Sequence, residues 1–281
     1  MEVFFGENLD VISSLPSEIC DLIYIDPPFN TGKRQVLRSQ RVRKDPSGTR
    51  RGFKGETYSS VTVSAMEYGD TFEDYLEFIG KRLIEARRLL KPHGAIFVHL
   101  DYREAHYVKV FMDGVFGRDA FMNEIIWAYD YGGRPKRKWP AKHDTILWYV
   151  ADCENYTFNY DEIERIPYMA PGLVEEKKAA RGKTPTDTWW HTIVPTNGAE
   201  RTGYPSQKPL GILNRIITVH SNPGDLVVDF FAGSGSTGEA ALSNDRRALL
   251  VDNNPEAIEI MSQRLARWSP VFRGWEQSAL P

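Results

Sequence analysis

Residues 21 to 29 place a carboxylate, two prolines and an aromatic ring directly after a short apolar strand. The strand is Asp21-Leu-Ile-Tyr-Ile25, and the residues that follow it are Asp26, Pro27, Pro28 and Phe29. Ligands of open α/β sheets bind beyond the carboxyl ends of the strands, which is where this carboxylate is expected. Two adjacent acceptors, the Asp26 carboxylate and the Pro27 carbonyl, suit a planar group that carries an NH2, such as a base taken out of its stack. The alternative is an ordinary turn, because Asp-Pro and Pro-Pro pairs are common in loops.

A second strand, much later in the chain, runs into a glycine-rich turn. Leu226-Val-Val-Asp229 is followed by Phe230-Phe-Ala-Gly-Ser-Gly-Ser-Thr237 and a predicted helix. Gly233 and Gly235 let the backbone pass close to a ligand, and the helix presents free N–H groups. The next strand ends at Asp252, whose carboxylate suits a pair of ribose hydroxyls. This layout predicts an adenosine-nucleotide site; an NAD site remains an alternative, because Gly233, Gly235 and Gly238 have the dinucleotide spacing.

Taken together, these segments resemble the β class of DNA amino-methyltransferases, which transfer a methyl group from S-adenosylmethionine to adenine N6 or cytosine N4. In that class the Asp-Pro-Pro-aromatic motif precedes the target-recognition region, and the Phe-x-Gly-x-Gly motif comes near the C-terminus. Residues 26–29 and 231–235 stand in that order. Tyr204-Pro-Ser-Gln-Lys-Pro209 is similar to the family's His-Pro-Thr-Gln-Lys-Pro element, from which Tyr204 and Ser206 depart. The resemblance extends from about residue 3 to about residue 267.

The elements that must position these motifs can be read from hydrophobic periodicity. Strands are predicted at 2–5, 21–25, 95–100, 124–128, 145–150, 226–230 and 247–251. Helices are predicted over Phe72–Leu90, with a capping box at Thr71 and Asp74, and over Pro255–Arg267. Strands that alternate with helices predict an α/β fold with a doubly wound, mainly parallel, seven-stranded sheet.

The resemblance adds a Rossmann-like methyltransferase sheet, a circularly permuted motif order and an inserted target-recognition region. It divides the chain into a catalytic half over 1–151 (with a basic loop at 30–70), a target-recognition region over 152–203 and a cofactor-binding half over 204–281. Because the termini of compact domains are often close, the chain can open before the first strand, which would bring Glu7 and Asn8 to the cofactor.

The resemblance also implies a site-specific DNA methyltransferase and a role for individual residues. Asp26, Pro27, Pro28 and Phe29 form the catalytic motif. An Asp at its first position accompanies adenine N6 methylation more often, so adenine is favoured and cytosine N4 is the alternative. The expected contacts of S-adenosylmethionine are Glu7, Asn8, Asp26, Ser206, Gln207, Lys208, Asp229, Phe231, Ala232, Gly233, Ser234, Gly235, Ser236, Thr237 and Asp252.

Basic residues are concentrated in two segments, although the net charge is −3. Nine of them lie between Lys33 and Lys54, against the one acid Asp45, and interleaved Gly, Ser and Pro suggest a mobile loop that closes on a DNA backbone. A solvated loop without a role is the alternative. The predicted DNA contacts are Lys33, Arg34, Arg38, Arg41 and Arg43 in this segment, and Arg134, Lys136, Arg137 and Lys138 in a second segment. Trp189 and Trp190 are expected to pin an irregular loop to the core.

Several classes of function are disfavoured by composition. No stretch approaches the about 20 apolar residues of a membrane span, and the N-terminus lacks signal-peptide features, so a cytoplasmic location without membrane contact is expected. Cys20 and Cys153 form no C-x-x-C pair and the six histidines show no ligand spacing, so no metal is expected. The expected partner is double-stranded DNA, with a homodimer and a cognate restriction endonuclease as further candidates. An NAD-dependent oxidoreductase, an RNA or protein-amide methyltransferase and a DNA-binding module without catalysis remain rival functions.

Overall fold

The computed structural model describes residues 1–30, 35–44, 50–51, 57–68, 74–195 and 197–275, with the backbone alone for the segments between 35 and 68. The strands are β1 Glu2–Phe5, β2 Cys20–Ile25, β3 Gln35–Lys44, β4 Arg50–Arg51, β5 Thr57–Tyr68, β6 Leu90–Leu100, β7 Phe121–Ala128, β8 His143–Val150, β9 Thr188–Trp190, β10 Leu226–Asp229, β11 Arg247–Asp252 and β12 Val271–Arg273. The α-helices are α1 Asn8–Ser14, α2 Tyr75–Leu89, α3 Ala105–Phe116, α4 Glu176–Arg181, α5 Leu210–His220, α6 Ser236–Ser243 and α7 Pro255–Arg264.

The main sheet has nine strands in the order β12-β1-β11-β10-β2-β6-β8-β7-β9. Strand β8 is antiparallel to both neighbours, and every other pairing in this sheet is parallel. All seven strands predicted from the sequence are present, but the predicted strand number is wrong. The two additional strands, β9 and β12, lie at the sheet edges and are three residues long. Strands this short show no period-two alternation that sequence reading could detect.

The core sits between the central strands and the helices that cover them. All six residues of β2 are buried, as expected for a parallel strand covered on both faces. Helix α2 begins three residues after the predicted start, because the Asp74 side chain accepts a hydrogen bond from the Glu77 N–H and caps it; Thr71 lies outside the described residues. Helix α7 ends at Arg264 rather than Arg267, and its Ala257, Ile258 and Met261 are fully buried as predicted.

The segment expected to be a basic loop, 30–70, contains a second sheet instead. Strand β5 pairs antiparallel with β3 and with β4, giving the order β3-β5-β4. Residues 57–68 include two each of Thr, Val and Tyr, which favour strands, but the basic residues of this segment were weighed instead. Arg38, Arg41 and Arg43 therefore lie on β3, whereas Lys33 and Arg34 lie outside the described residues.

The carboxyl ends of several strands meet at one edge of the main sheet. Strands β1, β11, β10, β2 and β6 run in the same direction, so their following loops emerge together. Strand β7 shares this direction because both β6 and β7 are antiparallel to β8. The β7–β8 loop, residues 129–142, therefore stands at the same edge as residues 26–29 and 230–235. In the part of the chain that is described, no helix combines the length and apolar character needed to cross a bilayer.

His220, at the end of α5, makes the stability of the fold depend on pH. Its ring packs against Trp148, Phe97 and Phe158, and burial lowers its pKa from 6.5 to about 3. A histidine whose folded pKa is lowered contributes stability that is complete above about pH 6.5 and is lost as the pH falls toward 3. At pH 5 this group is expected to cost about 2 kcal/mol of unfolding free energy relative to pH 7.

The His220→Gln variant tests this effect, because glutamine does not titrate. Urea unfolding between pH 7 and pH 5 should show a smaller loss of stability in the variant than in the wild type. Because other groups titrate over the same pH range, the quantity to compare is the loss of unfolding free energy in the variant against that in the wild type. His106, exposed on α3, supplies the matched control, and His106→Gln should keep the wild-type slope. Identical slopes for His220→Gln and the wild type would contradict the buried, neutral state of His220.

Candidate active site

A cavity of about 560 Å³ opens at the carboxyl edge of the main sheet and is lined by both sequence motifs. Residues 26–29 after β2 and residues 231–234 after β10 face this one space. The two motifs are far apart in sequence, and the parallel pairing of β2 with β10 brings them together. Every residue predicted for catalysis or cofactor binding lines the cavity except Gly235.

The two carboxylate oxygens of Asp26 differ in their hydrogen bonding. Its Oδ2 accepts a hydrogen bond from the Lys208 ammonium group. Its Oδ1 is buried and has no hydrogen-bond partner within the described chain. The Asp26 side chain is 17% exposed and that of Lys208 is 9% exposed, so this ion pair is largely shielded from water. A buried acceptor without a donor costs free energy, which indicates a site built to receive a donor from a ligand.

Phe29 lies on a buried polar network that sequence reading did not find. Its ring stacks on His99, with centroids 6.0 Å apart and planes 26° apart. The His99 Nε2 lies 3.1 Å from Asp144 Oδ2, and its Nδ1 lies 2.8 Å from the Tyr24 hydroxyl. The Tyr129 hydroxyl donates to Asp144 Oδ1 at 3.1 Å. The signal was present in the sequence, because His99 and Asp144 are polar residues inside two apolar strands.

The protonation states within this network follow from burial and charge. Burial, and then the charges of Asp26 and Asp229, hold the pKa of Tyr24 well above its usual value. Burial acts to raise the pKa of Asp144, but the hydrogen bond from His99 and its other partners lower it. Asp144 is thus an ionised acceptor, and His99 donates to it from Nε2. The ring beneath Phe29 is therefore fixed in orientation.

Two carboxyl groups accept hydrogen bonds from the glycine turn and its flanking residues. Asp229 accepts hydrogen bonds from the Phe231 N–H at 2.9 Å and the Thr237 hydroxyl at 2.6 Å. Asp252 accepts from the Gly233 N–H at 2.7 Å through Oδ2 and from the Asn254 N–H at 2.9 Å through Oδ1. Burial raises the pKa of Asp229 to about 7 and raises that of Asp252. Both acids expected to face the cofactor therefore also shape the backbone that surrounds it.

Gly233 and Gly235 are required by the turn itself. Their φ angles are +49° and +75°, in the left-handed region that glycine adopts readily. A Cβ on Gly235 would lie 2.7 Å from Met261 Cγ, so this glycine lets α6 approach α7. Gly235 thus has a packing role, which explains why it does not line the cavity.

Residues after β1 reach the same cavity, as the permuted order predicts. The Asn8 amide donates to the Phe230 carbonyl at 2.7 Å and accepts from the Arg82 Nε at 2.6 Å. Arg82 also pairs with Glu7 and lies 3.9 Å from the centroid of the Phe78 ring. Arg82 and Phe78 line the cavity from α2 and were missed. Arg82 could have been found, because it is a charged residue on the apolar face of a helix.

The 200–209 segment brings Lys208 to Asp26. Gln207 accepts from the Thr202 N–H and hydroxyl, each at 2.9 Å, and donates to the Glu200 carbonyl at 2.7 Å. Its polar atoms thus hold the loop, although it was predicted as a cofactor contact. Ser206 has a φ of +55°, and its hydroxyl donates to the Pro205 carbonyl.

The predicted DNA contacts fall into a described and an undescribed group. Arg134, Lys136, Arg137 and Lys138 are exposed on the β7–β8 loop at the cavity edge of the sheet. Arg134 forms an ion pair with Asp130 at 2.8 Å. The side chains of Arg38, Arg41 and Arg43, like the whole of Lys33 and Arg34, lie outside the described residues.

The two adjacent tryptophans differ in environment. Trp189 is buried, and its indole N–H donates to the Thr186 carbonyl at 3.0 Å. Trp190 is 76% exposed. Both belong to strand β9, so the expectation of an irregular loop is wrong and the expectation of core packing is confirmed for Trp189 alone.

Comparison with known proteins decides the family. A family model described as DNA methylase, N6/N4 type, matches residues 20–263. The chain belongs to the N6/N4 DNA methylase family. It is an S-adenosylmethionine-dependent DNA methyltransferase, and the oxidoreductase, RNA or protein-amide methyltransferase and non-catalytic binding alternatives are thereby excluded.

Individual relatives cover most of the methyltransferase. It is 29% identical over 262 residues to the type II methyltransferase M.HpaI of Haemophilus parainfluenzae, covering 92% of this chain and 71% of that one. It is 29% identical over 280 residues to the DNA adenine methyltransferase YhdJ of Escherichia coli K12, covering 94% and 82%. The M1.HpyAVI–SAM complex has the same fold, with a TM-score of 0.60 and 19% identity over 94% of this chain and 98% of that one.

The cavity of the methyltransferase fits S-adenosylmethionine chemically. The Phe78 and Phe231 rings, with centroids 6.0 Å apart, supply flat apolar walls for an adenine. The carboxyl groups of Asp26, Asp229 and Asp252 line the cavity, and a sulfonium or ammonium cation bound there would favour their ionised forms. A Cβ on Gly233 would lie 3.0 Å from the Tyr204 ring, so a side chain there would require that ring to move.

Proposed function

We propose that this enzyme methylates the N6 amine of an adenine extruded from double-stranded DNA at a specific sequence. The observation that carries the proposal is the buried Asp26 Oδ1, an acceptor without a partner in the described chain, in a cavity shared with the glycine turn. The Asp at the first position of the motif and the adenine activity in the name of YhdJ favour adenine over cytosine N4.

The reaction depends on making a poor nucleophile reactive. The lone pair of an exocyclic amine is delocalised into its ring, and acceptors on both N–H groups would localise it. Asp26 Oδ1 and the Pro27 carbonyl would accept these two bonds, Pro28 would fix the turn, and Phe29 would stack on the base. S-adenosylmethionine supplies an electrophilic methyl group when bound. Acceptors fixed in advance stabilise the positive charge that develops on nitrogen.

The other site residues would hold the cofactor in this arrangement. Phe231 and Asp252 would contact the adenosine, with Glu7 and Asn8 at its adenine end. The turn of residues 232–237 and its anchor Asp229 would surround it, and Ser206 and Gln207 would close the cavity from the 200–209 segment. Arg38, Arg41, Arg43, Arg134, Lys136, Arg137 and Lys138, together with Lys33 and Arg34, would contact DNA phosphates.

The fold supports a permuted, doubly wound methyltransferase domain. Strand β1 pairs with β11, so the start of the chain completes the cofactor half built by residues 204–275. The seven predicted strands would form the Rossmann-like core, and 152–203 the target-recognition region between the halves. A cytoplasmic location, a homodimer and a partner restriction endonuclease complete the proposal.

Mass spectrometry of hydrolysed DNA from an expressing host tests the target base. N6-methyladenine should accumulate in cells that express the wild-type protein and be absent from cells that express Asp26→Ala. N4-methylcytosine in place of N6-methyladenine would contradict the choice of base while preserving the mechanism. Neither base above the background of the empty host would contradict the proposed function.

Lys208 has two candidate roles. It was predicted to contact the cofactor, and in the structure it forms an ion pair with Asp26. A substitution can distinguish them. Lys208→Met leaves the Asp26 carboxylate without its buried partner and free to rotate. We expect kcat to fall about a hundredfold, as a misplaced reacting group does, with little change in the KM for S-adenosylmethionine. Lys208→Arg keeps the charge and should recover part of the loss. A rise in the KM for S-adenosylmethionine at unchanged kcat would instead make Lys208 a cofactor contact.

A further inference from the structure

Trp139 is exposed to a degree that folding does not explain. It lies on the β7–β8 loop with 93% of its surface accessible. Tryptophan is among the largest apolar side chains and is highly buried in most proteins. A ring in this position contributes little to the core. Because exposed apolar surface is unfavourable in water, such a ring indicates contact with a partner.

The surroundings of Trp139 indicate that this partner is a nucleic acid. Lys136, Arg137 and Lys138 precede it directly, and all three are exposed. A ring that directly follows three cations is unlike the contiguous apolar patch that binds another protein or a second copy of this chain. Cations that contact phosphates beside an aromatic ring that stacks on bases are the usual combination at DNA surfaces.

The base of the loop is held in place relative to the cavity. The Tyr129 N–H donates to the Lys142 carbonyl at 3.1 Å, which closes the loop. The Tyr129 hydroxyl bonds Asp144, Asp144 bonds His99, and His99 stacks on Phe29. A short chain of contacts therefore connects the loop that carries Trp139 to the ring expected to stack on the extruded base.

We propose that Trp139 is a wedge that enters the DNA base stack where the target base has been removed. This inference rests on the proposed extrusion of the base. Extrusion breaks stacking on both sides of the base, and a flat indole in the gap replaces part of it. The flanking cations bind the phosphates on either side of the gap and bring the ring to it.

Two duplexes distinguish a wedge from a simple surface contact. Both carry the methylated motif, identified by sequencing that detects modified bases in DNA of the expressing host. In one the target base is paired, and in the other it lies opposite an abasic site and is already unpaired. Trp139→Ala should lower kcat/KM about tenfold or more on the paired duplex, the scale of one lost base–aromatic stack. On the unpaired duplex the loss should be less than about threefold, because little extrusion cost remains.

The controls keep the result interpretable. Trp139→Phe retains a flat ring and should keep most of the activity on the paired duplex. Calorimetry should give the wild-type affinity of Trp139→Ala for S-adenosylmethionine, since the ring is remote from the core. Equal losses on both duplexes, no loss on either, or the selective loss in Trp190→Ala instead would overturn the proposal. Wild-type protein that methylates neither duplex would overturn the proposed function and the wedge with it, before any variant is compared.

Discussion

Asp26→Ala is expected to reduce methyl transfer at least about a thousandfold, the upper range for loss of one preorganised partner of the developing charge. The reason is the Asp26 Oδ1 atom, an acceptor that has no partner within the described chain. Without it, one N–H of the amine has no acceptor in the site, the lone pair stays in the ring, and positive charge develops on nitrogen without a neighbouring negative charge. Tritiated methyl transfer to host DNA, measured in single turnovers, gives the chemical step directly.

The controls for Asp26 separate chemistry from folding and binding. Asp26→Asn keeps the shape but places an NH2 or a neutral oxygen toward the amine, so it should also be severely impaired. Asp119→Ala removes an exposed acid remote from the cavity and should retain wild-type activity. Calorimetry should show that Asp26→Ala still binds S-adenosylmethionine, because the glycine turn and the aromatic walls are unchanged. Turnover of Asp26→Ala close to the wild-type rate would refute the role of this carboxylate.

Gly235→Ala is expected to cost about 3 kcal/mol of unfolding free energy, from backbone strain at positive φ and from overpacking. The new methyl group would lie 2.7 Å from Met261 Cγ and 3.3 Å from Leu265 Cδ1, so α6 and α7 must separate. The shift displaces the turn that surrounds the cofactor, and the affinity for S-adenosylmethionine should fall as well. Urea unfolding and calorimetry measure the two effects.

Gly224→Ala is the matched control for this variant. Gly224 has a φ of +86°, and nothing lies within 4 Å of a Cβ built on it, so alanine there meets strain without a clash. It should cost about 1 kcal/mol and leave cofactor affinity unchanged. Equal costs at the two positions would show that the contact between Gly235 and Met261 has no role.

The parts of this protein that sequence reading predicted share one physical origin. Strands β2, β10 and β11 are apolar runs that end in an acid and a turn, and position in an α/β sheet then decides where Asp26, Asp229 and Asp252 meet. Local pattern and global topology agree here, so the convergence of residues 26–29 and 231–234 on one cavity could be inferred.

The parts that sequence reading missed depend on contacts that have no local pattern. The guanidinium of Arg82 lies at the site because it bonds Glu7 and Asn8, which are far from it in the chain. His99 and Asp144 belong to separate strands, and their bond exists because β6 pairs with β8. Strands β3 and β5 were missed because the many basic residues of this segment suggested a loop. Their pairing also depends on tertiary contacts and has no local sequence pattern.

A crystal structure with the cognate duplex and sinefungin, an unreactive analogue of S-adenosylmethionine, would show which groups bind the exocyclic amine of the target base. We expect an extruded adenine whose N6 lies about 3 Å from both Asp26 Oδ1 and the Pro27 carbonyl, with its ring stacked on Phe29. An exocyclic amine bonded to other groups, with Asp26 Oδ1 turned away from the base, would contradict this expectation.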